Sequence, residues 1–194
     1  MQNQQGERSD EELIKLIVKG DNSAFTLLVK RHQRGLYGFI NKMISSNENT
    51  EDIIQETFVA VFKGAGQFEG KSLVKTWIYS IARNQALMSK RLKANEPAHF
   101  DSLEKLSKKA GFGEQLIPDK ITRSLQIKNC ISNAIDKLES SNKEILILRD
   151  IEGFSGDSVS QILGISTEAM KSRLHRARLL LMEQLLKMRC NDEV

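Results

Sequence analysis

Apolar residues recur along this chain at intervals of three and four, and alternation at two is rare, which predicts helices throughout and an all-α fold. Leu13, Ile14, Leu16 and Ile17 follow Ser9 and Glu12, whose spacing is that of a capping box. Gly20-Asp21-Asn22 ends that helix. A longer one places Phe25, Leu28, His32, Leu36, Phe39, Ile40 and Met43 on one side. Ser45 to Asn49 read as a polar loop, and Thr50 as the cap of a third helix whose Ile54, Phe58, Val61 and Phe62 face the core. Gly64, Gly66 and Gly70 then break the pattern, so Gln67 to Ser72 are expected in a loop before a helix from about Leu73 to Leu92.

Both prolines, Pro97 and Pro118, fall between Ala94 and about Ile121 with Gly111 and Gly113, a linker composition made locally basic by Lys105, Lys108 and Lys109. The pattern resumes near Thr122 with Leu125, Ile131, Ile135 and Leu138, followed by Ser141 to Glu152 with Ile145, Leu146, Leu148 and Ile151 apolar. Ser141 and Glu144 have capping-box spacing. Two small helical domains joined by a flexible linker are therefore expected, at 1–94, 95–121 and 122–194.

Composition adds little to this picture. With 40% hydrophobic and 28% charged residues in 194, the chain reads as globular rather than disordered. The opening MQNQQGERSDEE lacks the apolar core of a secretory signal, and no apolar run is long enough to span a bilayer, so a cytoplasmic protein is expected. Cys130 and Cys190 lie far apart without metal-ligand spacing and read as reduced thiols. His32 sits within an apolar face and reads as a core or boundary histidine, with no second ligand spaced to join it. There are no paired catalytic carboxylates, no phosphate-cradling glycine loop and no zinc spacing, so no enzyme, cofactor or metal is expected.

Charge distribution is more informative than the net +4. From Ser155 to Leu180 two helical patterns meet at Gly164, with Ser166 placed to cap the second and Glu168 in its first turn. Met170, Leu174, Ala177, Leu181 and Leu185 form one stripe of that second helix. Its other faces carry Lys171, Ser172, Arg173, His175, Arg176 and Arg178, and no acid intervenes from Ala169 to Met182. Two helices joined at a glycine turn, the second basic and half apolar, read as a DNA-binding helix-turn-helix, although a solvated basic face on two core helices has the same pattern.

A second acid-free stretch runs between Glu69 and Glu96, with Lys71, Lys75, Arg83, Lys90, Arg91 and Lys93 interleaved with Trp77 and Tyr79. Cations beside aromatics suit a single nucleic-acid strand. Trp77 reads as core and the cations as the DNA-facing part. On the helix before it, Asp52, Gln55, Glu56 and Val59 fall opposite the apolar side, where the valine marks either a partner surface or a stray apolar residue on a solvated face.

EDIIQETFVAVFK followed by FEGKSLVKTWIYSIARNQAL resembles the second conserved region of bacterial sigma factors. LESSNKEILILRDIEGFSGDSVSQILGISTEAMKSRLHRAR resembles their fourth. The order and the short segment between them are similar to the extracytoplasmic function group of the sigma-70 family. That resemblance implies a protein that binds core RNA polymerase, recognises promoter DNA at −35 and −10 elements and promotes strand opening. It assigns core-polymerase contact to Asp52, Gln55, Glu56 and Val59. It places Phe68, Lys71, Ser72, Lys75, Arg83 and Asn84 at the melted −10 strand, and Lys171, Ser172, Arg173, His175, Arg176 and Arg178 at the −35 major groove. It also implies an anti-sigma factor as a partner. Departures fall at Val74, where relatives often carry an aromatic, at Gly156, Asp157 and Ser158, where an aromatic followed by acids is common, and at Ser140-Ser141 in place of a proline pair. The competing reading is a helix-turn-helix regulator that does not recruit polymerase. A helical enzyme using an acid near His32 or His99 stands further off.

Overall fold

A computed structural model describes the backbone of residues 8–44, 48–95 and 119–188, and the side chains of 8–44, 50–92 and 126–188. The described residues form α1 (Asp10–Val18), α2 (Asn22–Ile44), α3 (Glu48–Gly64), α4 (Val74–Asn95), α5 (Asp119–Asp136), α6 (Ser140–Leu146), α7 (Gly156–Leu163) and α8 (Thr167–Lys187). Short 3₁₀ and π turns follow α3 and α6, at Ala65–Gln67 and Ile147–Ile151. The helices make two units: α1 to α4 pack on one another, and α5, α6 and α7 each pack on α8.

The first unit begins as its sequence dictates. Ser9 Oγ accepts from the Glu12 N–H at 3.2 Å, and Glu12 Oε2 accepts from the Ser9 N–H at 2.9 Å, the capping box in both directions. Asp21 starts α2 by accepting from the N–H groups of Ser23 at 2.8 Å and Ala24 at 3.1 Å. Leu28, Leu36, Phe39 and Ile40 are fully buried on the side that periodicity assigns to the core.

Asp10 fastens α1 to α2. Its carboxylate meets Arg31 and, at 2.7 Å, Nε2 of the buried His32, which is thus a boundary histidine as its position among apolar residues suggested. Burial alone would raise the pKa of Asp10, but the hydrogen bonds from His32 and Arg31 and their attraction hold it below the ordinary 3.8. A lowered folded-state pKa contributes stability above 3.8 that is lost as pH falls through the lower folded value. Asp10→Asn is therefore expected to lower the urea midpoint at neutral pH, with the gap from the unaltered chain closing in acid; a gap independent of pH would refute the linkage.

Several expectations shift. α3 starts at Glu48, so Asn49 and Thr50 lie inside it, and Thr50 is buried rather than an exposed cap. Phe62 is 45% exposed although its ring meets Phe25 edge-on at 5.1 Å, and Ile53 takes the core position instead. Ile131 is exposed on α5. The linker lies mostly outside the described residues; at its edges α4 reaches Asn95 and α5 already begins at Asp119. The reduced-thiol expectation is corrected, because Cys130 is disulfide-bonded. Its helix packs along α8, which ends shortly before the chain's other cysteine, Cys190, itself outside the described residues. No helix among the described residues is long and apolar enough to cross a membrane.

Candidate nucleic-acid interface

α7 and α8 meet as the sequence requires. Gly164 ends α7 at φ +66°, ψ +39°, a left-handed conformation that costs a residue with a Cβ far more than glycine. Ser166 Oγ then accepts from the Ala169 N–H at 3.2 Å to start α8. Val159, Ile162 and Leu163 of α7 are buried with Met170, Leu174 and Ala177 of α8. Gly156, one of the departures, lets α7 approach α8 closely: a Cβ there would lie 2.9 Å from Met170 Cε.

With that stripe facing inward, Lys171, Ser172, His175, Arg176 and Arg178 are exposed on α8, and Arg173 is half-exposed. Ser172, Arg173 and Arg176 line one side of an open groove of about 550 Å³, with Lys137, Ser141 and Asn142 on the other. Arg178 differs from the rest. It donates to both carboxylate oxygens of Asp150, at 3.0 and 2.6 Å, and is thereby held against the π turn. Arg149 donates to the Phe154 carbonyl at 2.9 Å. Arg149 and Asp150 thus each reach a residue of the helix-turn-helix segment, Phe154 just before α7 and Arg178 in α8.

In the first unit Asp52, Gln55, Glu56 and Val59 are all exposed on one face of α3, the valine at 52%. Beyond the 3₁₀ turn, Phe68 is half-buried with its ring 5.0 Å from that of Trp77. Trp77 is half-buried rather than core, packed over Gly64, where a Cβ would sit 3.2 Å from the indole. Lys71 is exposed and pairs with Glu69; Ser72 is half-buried and Asn84 exposed. Val74, another departure, is fully buried.

Lys75 and Arg83 are not free. Arg83 donates to both oxygens of Glu144, at 2.5 and 3.4 Å, and Lys75 donates to the Glu152 carbonyl at 3.4 Å. Between them Tyr79, read as an aromatic beside the cations, is buried and donates to Glu152 Oε2 at 2.7 Å. Burial, the hydrogen bond and the adjacent carboxylate all push the phenol pKa far up, so Tyr79 remains a donor. The capping box expected of Ser141 and Glu144 is therefore absent: Glu139 occupies the cap position of α6 without a side-chain bond, and Glu144 reaches across to Arg83.

Sequence comparison sets this geometry in a family. Residues 28–96 match the model for sigma-70 region 2. Residues 128–181 match that for sigma-70 region 4, and the two together span more than half of the chain, in order. The chain belongs to the sigma-70 family, in its extracytoplasmic function group. It is 28% identical to the ECF RNA polymerase sigma-E factor of Haemophilus influenzae over 174 residues, covering 88% of this chain and 92% of that protein. Against the Escherichia coli K12 sigma-E factor it is 26% identical, with 88% and 91% covered. Among solved structures, the sigma factor RpoE in complex with the anti-sigma factor NepR from Bartonella quintana aligns at a TM-score of 0.61 and 25% identity, over 85% of this chain and 98% of that one. CnrH in complex with the cytosolic domain of CnrY shares the fold at a TM-score of 0.67 and 23% identity, over 94% and 99%.

This sigma factor accordingly binds polymerase and recognises promoters for transcription initiation. A regulator that recruits no polymerase is not favoured, since it leaves the region 2 match without a purpose. Motif reading missed the acids Glu144 and Glu152 at the face of α4. One signal was present: Gly35 and Gly38, three apart inside a long helix, mark close approach. A Cβ at Gly35 would lie 2.5 Å from Tyr79 Oη and 3.3 Å from Glu152 Oε2.

Proposed function

We propose that this sigma factor grips polymerase through Asp52, Gln55, Glu56 and Val59. In the same reading Phe68, Lys71, Ser72, Lys75, Arg83 and Asn84 engage the melted −10 strand, and Lys171, Ser172, Arg173, His175, Arg176 and Arg178 contact the −35 duplex. The functional division is 1–94 for polymerase and −10 binding, 95–121 as linker, and 122–194 for −35 binding. The observation that carries this is the outward placement of two unlike faces, the polar one with Val59 on α3 and the basic one on α8. Lysine and arginine at phosphates supply salt-dependent affinity, and side chains at base edges supply sequence choice. Unstacking an extruded base costs on the order of a few kcal/mol, which contacts to the freed base offset. The protein makes and breaks no covalent bond in this role and acts in the cytoplasm. An anti-sigma factor is its expected partner, as the similar RpoE is found in complex with the anti-sigma factor NepR.

Gln55→Ala combined with Glu56→Ala tests the polymerase grip. Both side chains are exposed, so the helix content should be unchanged while affinity for core polymerase falls about tenfold or more, as for a small cluster of interface anchors. Competition against the unaltered chain for limiting core, scored by transcription from a promoter library, measures it. Equal competition would remove these residues from the interface, and failure of the unaltered chain to alter core's choice of start site would end the whole reading.

A further inference from the structure

The groove between α6 and α8 has a second wall that none of the DNA residues assigned above occupies. Arg173 and Arg176 stand on its α8 side, and Lys137 and Ser141 face them from where α5 turns into α6. Three cations from two elements thus meet over one open space of about 550 Å³, with Glu139 the one acid among the lining residues. Lys137 is exposed and has no acid among the described ion pairs; its neighbour Asp136 is taken by the buried Lys143 at 2.9 Å.

This wall is a fixed one. Leu138 is buried and its N–H donates to the Ile135 carbonyl at 3.1 Å. The Asn142 and Lys143 N–H groups donate to the Glu139 carbonyl at 3.0 and 2.9 Å. Lys137 and Ser141 are therefore carried on a backbone-bonded turn rather than on a free loop. An ammonium with three donors beside a hydroxyl suits an anion whose oxygens only accept. Serine matters here, since a proline at 141 would bring no hydroxyl. A helix lying in the major groove has base edges before it and a sugar-phosphate strand along each side. The space beside α8 is where such a strand passes, and lysine and serine are among the side chains that hold phosphates.

We propose that Lys137 and Ser141 hold one phosphate of the −35 duplex, so that a sugar-phosphate strand lies in the groove and fixes the depth and angle of α8 against the bases. This deepens the assignment of α8 to the −35 element and rests on it. Lys137 is a positioning residue: its contact supplies affinity that falls with salt and carries no base preference. Arg173 and Arg176 meet the bases from the opposite wall.

The test uses the full chain, its variants K137A, K137R and S141A, and the control K128A. Lys128 is an exposed lysine of α5 that does not line the groove. The probe is a fluorescent duplex carrying the upstream element of a promoter that the holoenzyme selects from the library. K137A should bind about fivefold more weakly at low salt, and its plot of log affinity against log salt should be shallower by about 0.9, the share of one phosphate. Base preferences should be unchanged. S141A should weaken binding about twofold without altering the slope, because a hydroxyl releases no counterion. K137R should restore the slope, and K128A should match the unaltered chain. An unchanged slope in K137A overturns the proposal, as does a loss confined to one base position, which would make Lys137 a base reader. If K137A keeps its duplex affinity but loses retention on polyglutamate, the groove serves an acidic protein segment and the proposal falls. Duplex binding by the unaltered chain that ignores the upstream sequence ends the −35 assignment itself; intact sequence preference with an unchanged K137A slope ends only the phosphate contact.

Discussion

Arg173→Ala together with Arg176→Ala is expected to abolish measurable preference for the upstream promoter element, weakening binding to its duplex about a hundredfold. Each arginine that pairs bidentately with a guanine edge provides about 1–3 kcal/mol of discrimination, and the two add if they read separate bases. Both line the groove between α6 and α8, Arg176 exposed and Arg173 half-exposed. Neither has an intramolecular acid among the described ion pairs, whereas Arg178 is committed to Asp150. Arg178→Ala should instead loosen α8 against the π turn and weaken all duplexes alike. Anisotropy titrations on duplexes carrying each base at each position of the element would separate these outcomes. Base preferences unchanged in the double variant would take both arginines out of direct readout.

Phe39→Ala is expected to cost about 3–5 kcal/mol of stability, a large share of what holds a unit this small together. The ring is fully buried in α2 and packs on Tyr79 at 5.3 Å. Its removal leaves a cavity under the residue that joins the two units. Urea denaturation should show a lower midpoint. A loss under about 1 kcal/mol would mean that neighbouring side chains collapse into the space.

Much of this was legible in the chain. The capping box at Ser9 and Glu12, the left-handed Gly164, the Ser166 cap and the apolar stripe of α8 each depend on residues within a turn or two of one another. Misreadings arose where a distant partner competed with a local one. Glu144 had a helix end to cap and took a guanidinium instead, because a buried charge gains more from a bidentate partner than from one amide. Tyr79 was read only as an aromatic among cations; a phenol that can donate to Glu152 is satisfied inside. Cys130 was assigned a reduced thiol on the strength of compartment, a property of the surroundings that does not report the state of one sulfur.

By itself, then, the sequence determined the helices, their caps, the apolar faces and the two basic stretches, since those follow from periodicity and from neighbours a few bonds apart. Only the tertiary structure decided which basic residues are available. Lys75 and Arg83 meet Glu152 and Glu144 across separations of 77 and 61 residues, and no local pattern encodes a pairing of that reach. The physical reason is that a charge takes the best partner the whole fold can bring to it, while a turn of helix knows only its own residues.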